Sequence, residues 1–281
     1  MADLTGLRYA CQTYSWQMSL DTYAGRVEHM VGEAAAAGFA GFEPELVMLG
    51  RSWSIARLRD ILAASGLELA ALVLAEDWLG VGETASERAD ADRVIAATAA
   101  LPGAKIVLCP LPGPDRATLS EHDVRARQSR VMVRMQDVAE RAAEAGVRCT
   151  FHPNSPAGSL FRTQEDYHVM AELLPGLIGY TPDLGHIAKG GMDPLTVVRE
   201  WGDRVDHVHV KDLAADGRWA ETGAGVVDIR GVLEHLAGRG YGGWVTFEDE
   251  SLEAEQDPDV ATAKNGRYLQ QLTSRVAGSA R

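Results

Sequence analysis

The stretch His207-Val208-His209-Val210-Lys211-Asp212 decides the fold. It closes a short apolar segment, residues 205–210, that reads as a strand and runs out into charged residues. His207 and His209 lie two apart and so share one face. Seven further apolar segments end in the same way, in polar or turn residues, at 9–14, 41–45, 67–74, 104–109, 148–152, 177–180 and 244–247. Amphipathic helical patterns separate them, at 24–37, 54–64, 86–100, 124–145, 164–174, 194–201, 229–236 and from about 260 to 272. The rhythm is strand then helix, eight times.

The junctions carry matching punctuation. Ala37-Gly38 and Ala145-Gly146 put Gly just past a helix, where a left-handed closing residue is wanted. Asp193-Pro194 sets a capping residue before a first-turn Pro. An open doubly wound sheet would also alternate strand and helix, but no Gly-rich phosphate loop follows the first strand. The expected fold class is therefore α/β, one (β/α)8 TIM barrel over residues 1–281, close to the ~250 residues such a barrel needs. With 46% hydrophobic residues the chain has ample core material.

Composition removes several function classes. The formal net charge of −13 comes without a basic block, which opposes nucleic acid as a partner, because a duplex binder must neutralise phosphates with clustered Lys and Arg. No stretch approaches the ~20 consecutive apolar residues of a membrane span. Met1-Ala2-Asp3-Leu4-Thr5-Gly6 lacks the basic start and apolar run of a secretory signal, so a cytoplasmic protein is expected. Cys11, Cys109 and Cys149 have no close spacing and read as buried reduced thiols.

In a barrel the C-terminal strand ends converge on one mouth. The residues arriving there are Phe42-Glu43-Pro44-Glu45, Phe151-His152-Pro153-Asn154, Pro182-Asp183-Leu184-Gly185-His186, the strand-seven stretch, and Phe247-Glu248-Asp249-Glu250. Imidazoles and carboxylates from four consecutive strands are the ligand types that hold Mn, Co, Mg or Zn. None are at helical spacing, so they meet only if the sheet closes. Singly each has an ordinary explanation: a strand histidine satisfied in the core, an Asx turn at Asp183, a solvated strand-end Glu248. Arg162 reads as a loop arginine or a contact to a substrate oxygen. Gln12, Tyr14 and Trp16 read as core or as the apolar wall of a sugar pocket. Glu43 and Glu45 point the same way and reach the mouth only if that face is inward.

Pro182-Asp183-Leu184-Gly185-His186, the strand-seven stretch and Gly240-Tyr241-Gly242-Gly243-Trp244 followed by Glu248 resemble the xylose-isomerase-like barrel superfamily of sugar phosphate isomerases and epimerases. Residues Ala37 to Glu43 resemble its second strand, so the likeness runs over essentially the whole chain. It implies a divalent metal, Mn2+ first, held by Asp183, His209 and Glu248, and a substrate contact at His186. Strand five departs from the epimerase pattern: His152 stands where the epimerases have Glu, as in inosose dehydratase-like members. The implied ligand set is His152, Asp183, His209 and Glu248.

The chemistry implied is removal of a proton next to a carbonyl, with Glu248 as base and an enediolate as intermediate. His186, Lys211 or Glu45 is then left to complete a second proton transfer. Glu45, Asn154, Arg162 and Trp16 are the expected substrate contacts. The expected activity is isomerisation or epimerisation of a keto-sugar or inosose, with a lyase acting on the same compounds as the alternative. A phosphodiesterase of the endonuclease IV type is opposed by the charge, and a non-catalytic binding barrel would lack metal. The partner is a small polyhydroxylated carbonyl compound, and a homo-oligomer stays open.

Overall fold

Eight parallel strands stand where the apolar segments lie, in a computed structural model that describes residues 3–113 and 116–274. Met1 and Ala2, which begin the N-terminal reading, lie outside the described residues. The barrel strands are β1 (Arg8–Gln12), β2 (Gly41–Glu43), β3 (Ala71–Glu76), β4 (Lys105–Pro110), β5 (Cys149–Phe151), β6 (Gly179–Tyr180), β7 (Val208–Val210) and β8 (Trp244–Phe247).

They pair as two arcs, β2-β1-β8-β7 and β3-β4-β5-β6. Single residue bridges close both seams, Glu45 with Val73 on one side, and Tyr180 with Val205 and Asp183 with His209 on the other. The third strand is broken where one continuous run was expected. Glu68–Leu69 pairs with β2, and at Ala70 the backbone N–H still donates to Phe42 while the carbonyl already accepts from Lys105 of β4. Ala70 is thus where the chain turns from one arc to the other.

Period-two alternation sorts the side chains. Leu72, Leu74, Ile106, Leu108, Val208, Val210 and Phe247 join the large apolar cluster under the helices. Their alternates face inward as two small separate groups, Ala10, Ala70 and Trp244, and Ala71, Val73 and Val107 with Cys109 beside them. The inward positions nearer the strand ends are polar and buried, among them Glu43, Thr150, His152, His207, His209, Thr246 and Glu248.

The expected helices form with the caps that the sequence supplies. Ser54 caps Ile55–Ser65, Thr84 and Glu87 form a capping box on Ala85–Ala99, Thr163 and Asp166 form one on Gln164–Leu173, and Asp193 caps Pro194–Trp201. The first helical region differs. Strand one stops at Gln12 and short helices Tyr14–Gln17 and Leu20–Tyr23 precede Val27–Ala36. Gly25, at φ 81, makes the turn between them where the Gly50 backbone approaches so closely that a Cβ on Gly50 would lie 2.8 Å from the Gly25 Cα. After β7, Asp212–Leu213 pairs antiparallel with Trp219–Ala220. No helix among the described residues is long and apolar enough to cross a membrane.

Candidate metal centre and cavity

The four strand-end residues expected as ligands come together. His152, Asp183, His209 and Glu248 each offer one ligand atom, those atoms lie within 4.8 Å of one another, and all four residues are buried. Backbone bonds set each in place: His152 N–H donates to Leu108, His209 N–H to Pro182 and Glu248 N–H to Val210, at 2.9, 2.9 and 3.0 Å. Asp183 caps the helix Leu184–Lys189, its Oδ1 accepting from His186 N–H at 2.7 Å.

The remaining atoms face one another. Asp183 Oδ2 and His152 Nε2 are both buried and form no hydrogen bond among the described residues. A buried polar atom without a hydrogen bond costs roughly 1–3 kcal/mol, and two such ligand atoms, a carboxylate oxygen and an imidazole nitrogen, facing each other beside a second imidazole and carboxylate suit a divalent cation. His209 Nδ1 lies 3.0 Å from Glu248 Oε2. The donor set fits a metal ion.

Lys211, wholly buried, ties the acidic side of the group together. Its Nζ donates to Glu248 Oε1 at 2.8 Å and to Glu250 Oε1, sits 3.4 Å from Asp183 Oδ2, and donates to His186 Nε2 at 3.1 Å. The surrounding carboxylates keep it cationic, outweighing burial and raising its pKa well above the ordinary lysine value. Burial alone would lift Glu248, but Lys211 and His209 hold it down at about 2. Burial, then the Lys211 charge, pushes His186 down to about 3, so its ring is neutral. With Nε2 accepting from Lys211, the His186 proton sits on Nδ1, which faces Ser155 Oγ at 2.8 Å. Asp183 is held well below the usual carboxylate range: burial opposes this, and Lys211 and the neighbouring histidines outweigh it.

A cavity of about 130 Å³ opens beside this group, lined by Gln12, Tyr14, Glu45, Cys109, His152, Asn154, His186, His209, Glu248 and Glu250 among others. Glu45 accepts from Gln17 Nε2 at 2.8 Å. Burial, then the Glu248 and Glu250 charges, lifts it to about 7. Asn154 is positioned by its Nδ2 donating to the Pro110 carbonyl at 2.9 Å.

Two expected substrate contacts are placed elsewhere. Trp16 does not line the cavity; the helical turn that begins at Tyr14 carries it into the core, where its indole N–H donates to Asp259 at 2.7 Å. Arg162 lines a neighbouring cleft with Arg116 and Asp166. Glu250, placed at the mouth by the sequence but given no role there, reaches Lys211, and Trp219, missed in the sequence, has its ring 5.2 Å from that of His186 in an edge-on contact. Asp212 holds the loop that bears Trp219, its carboxylate accepting from the N–H groups of Leu213, Gly223, Gly225 and Val227. An Asp directly after Lys211, followed by a Gly-rich run, was the available signal.

A closed parallel barrel with imidazole and carboxylate groups gathered at its strand ends defines a metalloenzyme-like (β/α)8 protein. The chain belongs to the xylose isomerase-like TIM barrel family, whose model matches residues 31–272. Among curated proteins it is 33% identical over 146 residues to the rhizopine catabolism protein MocC of Rhizobium meliloti, covering 46% of this chain and 43% of that protein. It is 26% identical over 158 residues to an inosose dehydratase of Lacticaseibacillus casei, covering 50% and 53%. The chain spans about half the length of the curated relatives it matches. The crystal structure of a 3-keto-D-glucoside 4-epimerase from E. coli superposes with a TM-score of 0.72 at 19% identity, covering 94% of this chain and 99% of that one. That is a likeness of fold.

Proposed function

We propose that this chain, as a single barrel domain, is a divalent-metal-dependent enzyme that isomerises or epimerises a keto-sugar or inosose by removing the proton next to its carbonyl. The observation that carries the reading is the buried group His152, Asp183, His209 and Glu248, with two of its ligand atoms left without hydrogen bonds, opening onto a cavity of sugar size. His152, Asp183, His209 and Glu248 would hold the ion, for which Mn2+ is the first choice. A bound divalent ion would polarise a substrate carbonyl and its neighbouring hydroxyl and so acidify the adjacent C–H.

The chain's own groups divide the remaining work. Glu248 is ionised at neutral pH and lines the cavity, so it is the acceptor for the α-proton. Lys211 and neutral His186, bonded to each other, with Lys211 also bonded to Glu248 and Glu250 and His186 to Ser155, fix the direction of the Glu248 carboxylate and the wall of the cavity. Glu45, lifted to about 7, is present in both forms at neutral pH and suits the return of a proton. Asn154 offers the cavity a polar edge. Among the described residues all three thiols are free, which suits a cytoplasmic enzyme.

A second reading, β-elimination from the same compounds, is favoured by one residue. His152 replaces the second strand-end carboxylate that the epimerase pattern has, leaving Glu248 as the one carboxylate of the ligand group that lines the cavity, with Glu45 as an acid for a leaving hydroxyl. The half of the chain that aligns with an inosose dehydratase supports the same class of substrate. The test is NMR of the Mn2+-loaded protein with a panel of inososes and 3-keto-sugars in heavy water. Deuterium at the carbon next to the carbonyl is expected in substrate or product; none on any panel member overturns the reading.

A further inference from the structure

Glu43 lies one inward position below Glu45 and is completely buried. It does not line the cavity, yet three donors converge on it. His209 Nε2 meets Oε1 at 2.6 Å, while Oε2 accepts from His207 Nε2 and from the Thr246 hydroxyl at 2.9 Å. A carboxylate can only accept, so both imidazoles must present N–H at Nε2. For His209 this leaves Nδ1 as the remaining ring nitrogen, and Nδ1 faces Glu248 and the other ligand atoms.

We propose that Glu43 is a positioning residue for the metal centre. It fixes the ring plane and the protonated nitrogen of His209 so that the Nδ1 lone pair points at the ion, and it strengthens that nitrogen as a donor. His207 and Thr246, packed in the same layer of the barrel, hold the Glu43 carboxylate in turn. Glu43, His207 and His209 also have ligand atoms within 4.8 Å of one another, the spacing of a second ion site. The relay is favoured because both Glu43 oxygens are already taken by donors, and because neither Glu43 nor His207 reaches the cavity from which an ion's remaining ligands would come.

The proposal rests on the reading that His209 is a metal ligand, and the experiment separates the two. Metal-free full-length protein is titrated with Mn2+ by calorimetry, with free Mn2+ counted by electron paramagnetic resonance. The wild type is expected to bind one ion per chain. Glu43→Gln, whose amide has one acceptor oxygen and cannot receive both N–H groups, is expected to bind it 10- to 100-fold more weakly, the usual effect of losing such a partner. The visible bands of the Co2+-loaded variant are expected to shift as the His209 ligand changes orientation. If Glu43→Gln fails to fold, Thr246→Val removes only the hydroxyl that holds Glu43, and a smaller loss of affinity in the same direction supports the proposal. Equal affinity and an unshifted Co2+ spectrum in the folded Glu43→Gln variant overturn the positioning role alone. Two ions in the wild type with one lost in Glu43→Gln overturn it in favour of a second site. A wild type that takes up no ion removes the metal reading itself, and this proposal with it.

Discussion

Asp183 Oδ2 and His152 Nε2 stand 3.6 Å apart inside the barrel mouth, both buried and neither hydrogen-bonded among the described residues. The two come from neighbouring strand ends, and nothing in local chain geometry requires them to face each other. Asp183→Ala and His209→Ala are each expected to lose the bound ion while keeping the fold. Elemental analysis of the purified variants checks this, and full metal occupancy in both removes the ligand assignment. Asp183→Ala is also expected to lower stability by ~1 kcal/mol through loss of the cap of the helix that follows.

Glu248→Gln keeps the shape at the strand end but removes the proton acceptor. Turnover is expected to fall by ~10²-fold or more, the scale for loss of a general base, with Lys211 still neutralised by Asp183 and Glu250. Steady-state kinetics on the substrate identified by NMR measures it. Near-normal turnover would transfer the role to Glu45 or His186.

Glu45 ties the site to a stability profile. Its folded value, about 7, is above the ordinary glutamate value of 4.5, so folding favours its protonated form. The stability it contributes is fully present below pH 4.5 and is lost as pH rises through 7. Glu45→Gln is therefore expected to match the wild type near pH 4.5 and to be more stable at pH 8, by up to ~3 kcal/mol. Denaturant unfolding of the metal-free proteins at the two pH values tests the sign. The same difference at both would mean that Glu45 does not titrate in this range.

His152→Glu supplies the carboxylate that strand five lacks. Inverting a carbon needs proton donors on both faces of a planar intermediate, whereas elimination needs one base and an acid for the leaving group. The substitution is expected to shift products toward epimer and away from eliminated compound, as read by NMR on inososes and 3-keto-sugars. Clean epimerisation by the wild type would show that residue 152 does not set the outcome.

The strands were legible because the inward and outward positions of a barrel differ in kind. Val208 and Val210 pack under helices while His207 and His209 face in, and that alternation is visible in the letters. The convergence of His152, Asp183, His209 and Glu248 was legible only through barrel closure, since no two of them are close in sequence. Trp16 was misplaced because a strand was expected to run to residue 14, whereas Gln12 ends it and a helical turn rotates Trp16 toward Asp259. The break at Ala70 left no mark because Leu69-Ala70-Ala71-Leu72-Val73-Leu74 is an unbroken apolar run with no Gly or Pro to punctuate it. Glu43 was seen but not its partners: the contact to Thr246 joins positions 203 residues apart, and only the register of β7, β8, β1 and β2 brings them together.

The two seams of the sheet give the ligand group a further meaning. His152 and Asp183 stand on or just after the β3-to-β6 arc, His209 and Glu248 on or just after the arc that contains β7 and β8. The seam between them is held by the single bridges Tyr180 to Val205 and Asp183 to His209. An ion bound by all four residues would act as a rivet, fastening one half-barrel to the other where the backbone stitching is thinnest. A chelator would then do mechanical as well as chemical harm, freeing the two halves to breathe against each other along β6 and β7 while the distant helices stay quiet.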